Sequence, residues 1–224
     1  MQPYFLPYLG YIQLIASVDN FVIFDDVNFI KRGWINRNNI IVNKEKKLIT
    51  LSLKKASINK KINEIDICSD SIENLRKTLL HSYSKSLYGI KMIDYLFSKD
   101  ICQNTSLSIF LENQLKKVVS LLDLKTVFYR SSEFKISSEL KGQDRIIEIC
   151  KALKTTEYYN LPGGRDLYSD GPFNDNGIDL KFIELPSFIY EQGTDLFIPY
   201  LSIIDVLSNS SISEIKSYLD SKNV

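Results

Sequence analysis

The chain has 224 residues, 44% of them apolar or aromatic and 25% charged, which is the makeup of a soluble globular protein large enough for one sizeable core. Its formal net charge of +1 gives no global electrostatic case for binding nucleic acid or an anionic membrane surface. No apolar run reaches the roughly 18 residues needed to span a bilayer, and no secretory h-region is present, so membrane insertion and export are not expected.

The opening stretch, MQPYFLPYLGYIQLIASVDNFVIF, has a readable grammar. Pro3 and Pro7 keep Gln2 to Leu6 out of a helix. Gly10 opens a short apolar helix with Ile12, Leu14, Ile15 and Ala16, Asp19-Asn20 ends it, and Phe21 to Phe24 read as a buried strand. Loop, helix and strand make half of a βαβ unit. The other half would be a strand ahead of Gln2, and Met1 is expected to lie inside the natural beginning. The strand runs into Asp25 and Asp26, and Lys31, Arg32, Trp34, Asn36, Arg37 and Asn38 follow within a dozen residues. A strand ending in acids and followed by a polar, aromatic loop is how many α/β proteins build a ligand site. A solvated surface loop is the bland alternative.

Asn39 to Val42 and Lys47 to Leu53 read as strands joined by a turn at Asn43 to Lys46, and Ile62 to Ile67 as a further short strand. Ser71 has the position of an N-cap for a helix with Leu75, Leu79 and Leu80 at helical spacing. Two more helices follow at Tyr88 to Phe97 and Ser106 to Leu122, so residues 70–123 form a helical middle segment. The single histidine, His81, falls within the first of these helices, which leaves a zinc site or a Ser-His-Asp triad without material. Cys68, Cys102 and Cys150 are odd in number and lack any CxxC spacing, as expected of reduced thiols in the cytoplasm.

Lys125 to Tyr129 reads as a strand followed by the turn Ser131-Ser132, and Gly142 opens a helix with Asp144 in its first turn. Such a helix start offers free N–H groups to anions, although capping alone explains the glycine. Thr155 to Tyr159 is a strand running into Gly163, Gly164 and Arg165, where paired glycines allow close backbone approach to a ligand or simply a turn. After the turn Asn174 to Gly177 comes a strand, Ile178 to Ile183. A helix over Leu201 to Leu207 holds Asp205 on an apolar face, where a buried carboxylate needs a partner. An amphipathic helix is expected over Ser213 to Asn223, and no internal repeat or linker marks a domain boundary. Thirteen Tyr and twelve Phe cluster beside Pro, Gly and Asn, a setting in which amphipathic rings line pockets for small polar ligands or sugars; AT-rich codon usage accounts for part of the excess.

The segments MQPYFLPYLGYIQLI, DNFVIFDDVNFIKRGWINRN, KGQDRIIEIC, EYYNLPGG and IPYLSIIDVL resemble the WbqC-like family, from residue 1 to about residue 208. Members of that family usually carry a short strand before the QPY motif and are similar to proteins encoded in bacterial O-antigen and capsule gene clusters. The resemblance implies one WbqC-like domain and a cytoplasmic role in making or decorating a polysaccharide precursor. It suggests an N-acyl or aminoacyl transferase acting on a nucleotide-linked amino sugar. The N-terminal order also looks like the start of HUP-class nucleotidylyltransferases, which would give a βαβ-type, HUP-like sheet. Those enzymes carry HxGH histidines where this chain has Tyr8 and Tyr11 around Gly10, and a neutral tyrosine donates a single hydrogen bond. Classical nucleotidyl transfer is therefore disfavoured.

On this reading Asp25 or Asp26 is the base, because two adjacent carboxylates can raise one pKa toward neutrality. Lys31, Arg32, Arg37 and Arg165 would contact a diphosphate or carboxylate. Trp34, Tyr4, Tyr8 and Tyr11 would pack on sugar or base rings, Gln2, Asn36 and Asn38 would read hydroxyls, and Gly163-Gly164 would let the backbone approach. The structural alternative for the acids is a salt bridge to Arg32 or Arg37. The rival function is a non-catalytic protein that binds a glycan precursor or scaffolds its assembly, and a glycosyltransferase ranks lower because Asp25-Asp26 lacks DxD spacing. The partners expected are a nucleotide sugar and an acyl or aminoacyl donor. The residues name no cofactor and no oligomeric state.

Overall fold

A computed structural model describes residues 1–103, 105–137 and 139–221. The Pro-rich loop leads into α1 (Leu9–Ala16) and β1 (Asn20–Ile23). Two short hairpins follow, β2 (Arg37–Val42) with β3 (Glu45–Thr50), and β4 (Leu53–Lys54) with β5 (Asp66–Ile67). The helical middle is α2 (Ser71–Tyr83), α3 (Gly89–Leu96), α4 (Lys99–Cys102) and α5 (Leu107–Leu121). The chain then alternates through β6 (Val127–Arg130), α6 (Gly142–Leu153), β7 (Glu157–Asn160), α7 (Asp170–Asn174) and β8 (Asp179–Phe182), and closes with α8 (Ile203–Asn209) and α9 (Ile212–Asp220).

The α/β class expected from the sequence is what forms. β1 pairs in parallel with β6, and β7 in parallel with β8 across α7. Parallel pairing needs a long crossover, and the helical middle supplies it for the first pair. The order helix, strand, parallel partner is compatible with the HUP-like comparison. Met1 lies along the free edge of β1, donating to Val22 O (2.6 Å) and accepting from Phe24 N (2.8 Å), the pattern of one parallel rung.

Several expectations need correction. The β2–β3 turn is tighter than Asn43 to Lys46: Asn43 (φ +51) and Lys44 (φ +67) alone make it, both left-handed as a two-residue hairpin of this kind requires. The run Lys47 to Leu53 is split, its first part pairing in β3 and its end pairing with β5. Ile62 to Ile67 is a 3-10 turn, Ile62–Glu64, before β5. Ser71 is the first residue of α2 and not its cap, since its Oγ accepts from Ser52 N (2.7 Å). The closing helix ends at Asp220, and the expected extension to Asn223 lies outside the described residues.

The core forms because each helix buries one stripe. Leu107, Phe110, Leu111, Leu115 and Val118 along α5 and Leu122 at its C-cap are all buried in the main cluster, each contributing about 1.5–3 kcal/mol. A smaller cluster of Ile146, Ile147, Cys150, Phe173 and Ile178 fastens α6 to α7 and β8, with Phe24 packed against it. Between β1 and β7 lies a cleft of about 860 Å³, walled by Asn20, Val22 and Phe24 on one side and Glu157 and Tyr159 on the other.

Candidate functional site

The carboxyl ends of β1 and β6 lie side by side, because Ile23 pairs with Arg130. Asp25-Asp26 and Ser131-Ser132 therefore leave the sheet together. Ser131 and Ser132 begin a 3-10 turn, and Asp25 accepts from the Ser132 N–H at its start. Asp25 is buried, and its two oxygens accept from Ser132 N (3.0 Å), Ser132 Oγ (2.7 Å), Ser131 Oγ (3.2 Å) and Asn63 Nδ2 (3.2 Å). The single Ser131 proton is shared between Asp25 and Asp26, so three of these donors serve Asp25 alone. Asp26 accepts from Ser131 Oγ and forms an ion pair with Arg145 Nη2 from the first turn of α6. Both partners are nearly buried, and the Arg145 guanidinium also lies 5.9 Å from the Phe24 ring while its Nε has no hydrogen-bond partner among the described residues.

This arrangement fixes the acid chemistry. Burial works to raise the Asp26 carboxyl, but hydrogen bonds from Ser131 and Arg145 and the Arg145 charge outweigh it and hold the group below the ordinary carboxylate range. Adjacency of two acids therefore does not push Asp26 toward neutrality, contrary to the expectation for a base. The ion-pair partner expected from the sequence is also corrected: it is Arg145, 119 residues away, and not Arg32 or Arg37.

The other predicted residues divide into those facing this end and those holding the framework. Met1 O accepts from Phe24 N, and Gln2 follows it with its carbonyl held by the Tyr11 hydroxyl. Tyr4 is half-buried, tilted against Tyr11 at 5.2 Å, and its phenol is raised by burial and then by the neighbouring Tyr168. Tyr11 is fully buried and donates to Gln2 O (2.7 Å), so it shapes the loop and offers no face to a ligand. Asn38 is buried and donates to Phe5 O (3.0 Å) and Leu6 O (2.6 Å), holding Leu6 in its left-handed conformation (φ +40). It cannot read a substrate hydroxyl. Asn36 is likewise engaged with Leu51 O (2.9 Å).

In the 31–37 loop, Lys31 and Arg32 are exposed, and the Trp34 ring is 43% exposed with the Arg37 guanidinium 5.9 Å from its centre. Arg37 is a loop staple, donating to Gly33 O (2.9 Å) and Arg32 O. Trp34 O accepts from Phe5 N (3.0 Å), which fastens this loop to the Pro-rich one. After β7, Gly163 is exposed and Gly164 is buried against Asn160, where a Cβ would meet Asn160 Nδ2 at 2.7 Å. Gly164 thus serves close packing. Arg165 stacks over Phe182 at 4.7 Å. Tyr8 lies apart from the acids, edge-on to Tyr200 at 5.9 Å.

Sequence reasoning missed Arg145, Ser131, Ser132, Asn63 and Tyr168. A signal existed for the serines, which follow their strand as Asp25-Asp26 follow theirs. Arg145 had only its place in the first turn after Gly142. Gln143 at the same helix start accepts from Ser169 N (3.2 Å), so α6 joins the acid cluster to the segment carrying Tyr168.

Residues 2–217 match the WbqC-like protein family. The chain belongs to that family. A protein of Mycobacterium tuberculosis, "Uncharacterized protein Rv1507c", is 28% identical over 215 residues, spanning 93% of this chain and 91% of the relative. No solved structure matches. The family match takes in every predicted site residue, Arg145 and the aromatic segment 185–201. Among the described residues of this WbqC-like chain, no helix is long and apolar enough to cross a membrane.

Proposed function

We propose that this WbqC-like protein acts in the cytoplasm on a nucleotide-linked amino sugar destined for a surface polysaccharide, as an N-acyl or aminoacyl transferase. The observation that carries the proposal is the meeting of Asp26, Arg145 and the start of α6 at the carboxyl ends of a parallel strand pair, with Gln143 of the same helix start holding the segment that carries Tyr168. The family resemblance supplies the sugar pathway. In this reading the α6 amides and Arg145 receive the diphosphate. Asp26 stays ionised at neutral pH and orients the amino group by charge. The sugar nitrogen attacks the donor's acyl carbon, a C–N bond forms, the bond to the donor's carrier breaks, and the amine's proton passes to water.

One observation favours a second reading. Asp25 is buried and accepts from Ser132 and Asn63 within the protein, and Asp26 is paired, which suits a non-catalytic protein that binds the sugar precursor. Incubating the purified chain with a nucleotide-linked 4-amino sugar and acyl-coenzyme A or an aminoacyl donor, and following the mass of the sugar, separates the two. A mass gain supports transfer. Saturable binding of the nucleotide sugar with no gain under any donor supports the second reading. Unchanged polysaccharide composition in a deletion strain would sink both.

A further inference from the structure

Apart from the acid cluster and the cleft beside β1, the molecule has a crevice of about 90 Å³ where the N-terminus of α1 meets the irregular segment 185–201. Its walls include Tyr8, Leu185, Tyr190, Phe197, Pro199 and Tyr200, and none of its lining residues is charged.

The wall is built and its contact surface is left open. Gln192 staples the loop in both directions, donating to Ile198 O (2.9 Å) and accepting from Ile198 N (2.8 Å). Tyr190 is tied down by donating to the buried Asp205 (2.5 Å), and the loop's far root is fixed by Ile203 N donating to Pro7 O (2.7 Å). On this fastened loop Tyr200 is 70% exposed and sits in the left-handed region (φ +57). Such a conformation in a bulky residue persists only where its surroundings enforce it, and it recurs at ligand clamps. Here it holds the Tyr200 ring edge-on to Tyr8.

The chemistry of the lining narrows the occupant. Tyr190 and Tyr218 have spent their hydroxyls on Asp205 and Pro186 O. The hydroxyls of Tyr8 and Tyr200 have no hydrogen-bond partner among the described residues. Burial, then Tyr4 and Tyr200, push the Tyr8 phenol up to about 12, so it stays a neutral donor. A sugar would bring several hydroxyls to a wall with few polar partners, and each buried without one carries a cost. A phosphate would find no cation. A flat, uncharged ring with one polar edge suits both the aromatic walls and the small volume.

We propose that this crevice is a base-binding subsite that takes the nucleobase of a nucleotide, stacked on Tyr200 with its polar edge toward the Tyr8 hydroxyl. The proposal deepens the nucleotide-linked sugar reading and rests on its nucleotide part, though not on acyl transfer.

The test is ligand-observed NMR titration of the whole chain with uridine, thymidine, adenosine and guanosine monophosphates, for the wild type, Tyr200→Ala and Tyr200→Phe. Leu87→Ala, another exposed apolar residue, is the control. Saturable binding of at least one nucleotide is expected, weakened about tenfold or more in Tyr200→Ala, as loss of base stacking dictates. Tyr200→Phe keeps the ring and should bind within about threefold of the wild type, as should Leu87→Ala. Tyr200→Ala binding as tightly as the wild type would overturn the subsite while leaving nucleotide binding itself standing. No saturation by any of the four up to about 10 mM would overturn both.

Discussion

The acid cluster after β1 and the 31–37 loop that follows it are neighbours in sequence and opposites in physical state. Asp25 and Asp26 are enclosed and wired to Ser131, Ser132, Asn63 and Arg145, while Lys31, Arg32 and the Trp34 ring stand in solvent on a loop closed by Arg37. Both regions look equally dense in polar side chains along the chain. The difference is that burial makes every unpaired polar group costly, so the enclosed acids had to recruit donors from distant segments, whereas exposed groups are satisfied by water. A polar side chain's availability for a ligand thus depends on what the fold packs around it.

The largest effect should come from breaking the enclosed side. Asp26→Ala leaves the Arg145 charge nearly buried without its partner, and such a loss costs about 3–5 kcal/mol. Urea denaturation should show the drop, and Asp26→Leu combined with Arg145→Met should recover most of it. A double variant no more stable than Asp26→Ala would show that the pair is not the source. Next comes Asn38→Ala, which strips donors from Phe5 O and Leu6 O and the acceptor from Asn39 N. Losing this staple should cost about 2–3 kcal/mol in the same measurement, and a cost below about 0.5 kcal/mol would mean that Ser202, which also donates to Leu6 O, holds the loop without it.

A second enclosed carboxylate gives the comparison a pH axis. Asp205 is fully buried, with Tyr83 and Tyr190 donating to it at 2.7 and 2.5 Å and no ion-pair partner among the described residues. Burial raises its carboxyl, and the tyrosine hydrogen bonds recover only part of that. The folded state therefore binds this proton more tightly than the unfolded chain, whose value is about 3.9. Stability from Asp205 is full below that value and is lost as pH rises through the folded pKa. Asp26 has the opposite sign: its depressed pKa gives stability that is full above about 3.9 and is lost as pH falls through the folded value. Asp205→Asn should remove the loss of stability on going upward from pH 4, and Asp26→Asn the loss on going downward below it, as urea midpoints across pH 3–7 would record. Superimposable profiles for the wild type and Asp205→Asn would refute the assignment for Asp205.

Much of the framework was legible in the sequence because its signals are local. The helix at Gly10, the stripe of α5, the hairpin around Asn43 and the strands at Phe21 and Tyr158 each follow from periodicity and turn residues. The misread points needed distant contacts. Ser71 was expected to cap α2, but Ser52 claims its hydroxyl from across the chain. Asp26 was expected to pair nearby, but α6 brings Arg145 to it. Asn36 and Asn38 carry the same amide that would read a sugar hydroxyl, and only tertiary packing shows that both are occupied by Leu51, Phe5 and Leu6. Position at a strand's carboxyl end singled out the acid cluster as a region, while the partners of its members came from segments 38 to 119 residues away.

The smallest stability effect belongs to the open loop, and it sharpens the comparison most directly. Lys31 and Arg32 make no ion pair among the described residues, and Trp34 keeps much of its ring in water. Substituting Lys31 or Arg32 with alanine should change stability by about 0.5 kcal/mol or less, the usual range for surface positions without special contacts. Arg37→Ala is the informative contrast within the same loop. It removes two hydrogen bonds to backbone carbonyls that hold the turn, so about 1 kcal/mol should be lost. If Lys31→Ala and Arg32→Ala weaken nucleotide-sugar binding while their urea midpoints stay at the wild-type value, the loop presents these groups to a ligand. If binding falls only for Arg37→Ala, together with stability, the loop matters through its shape and its exposed side chains do not touch the ligand.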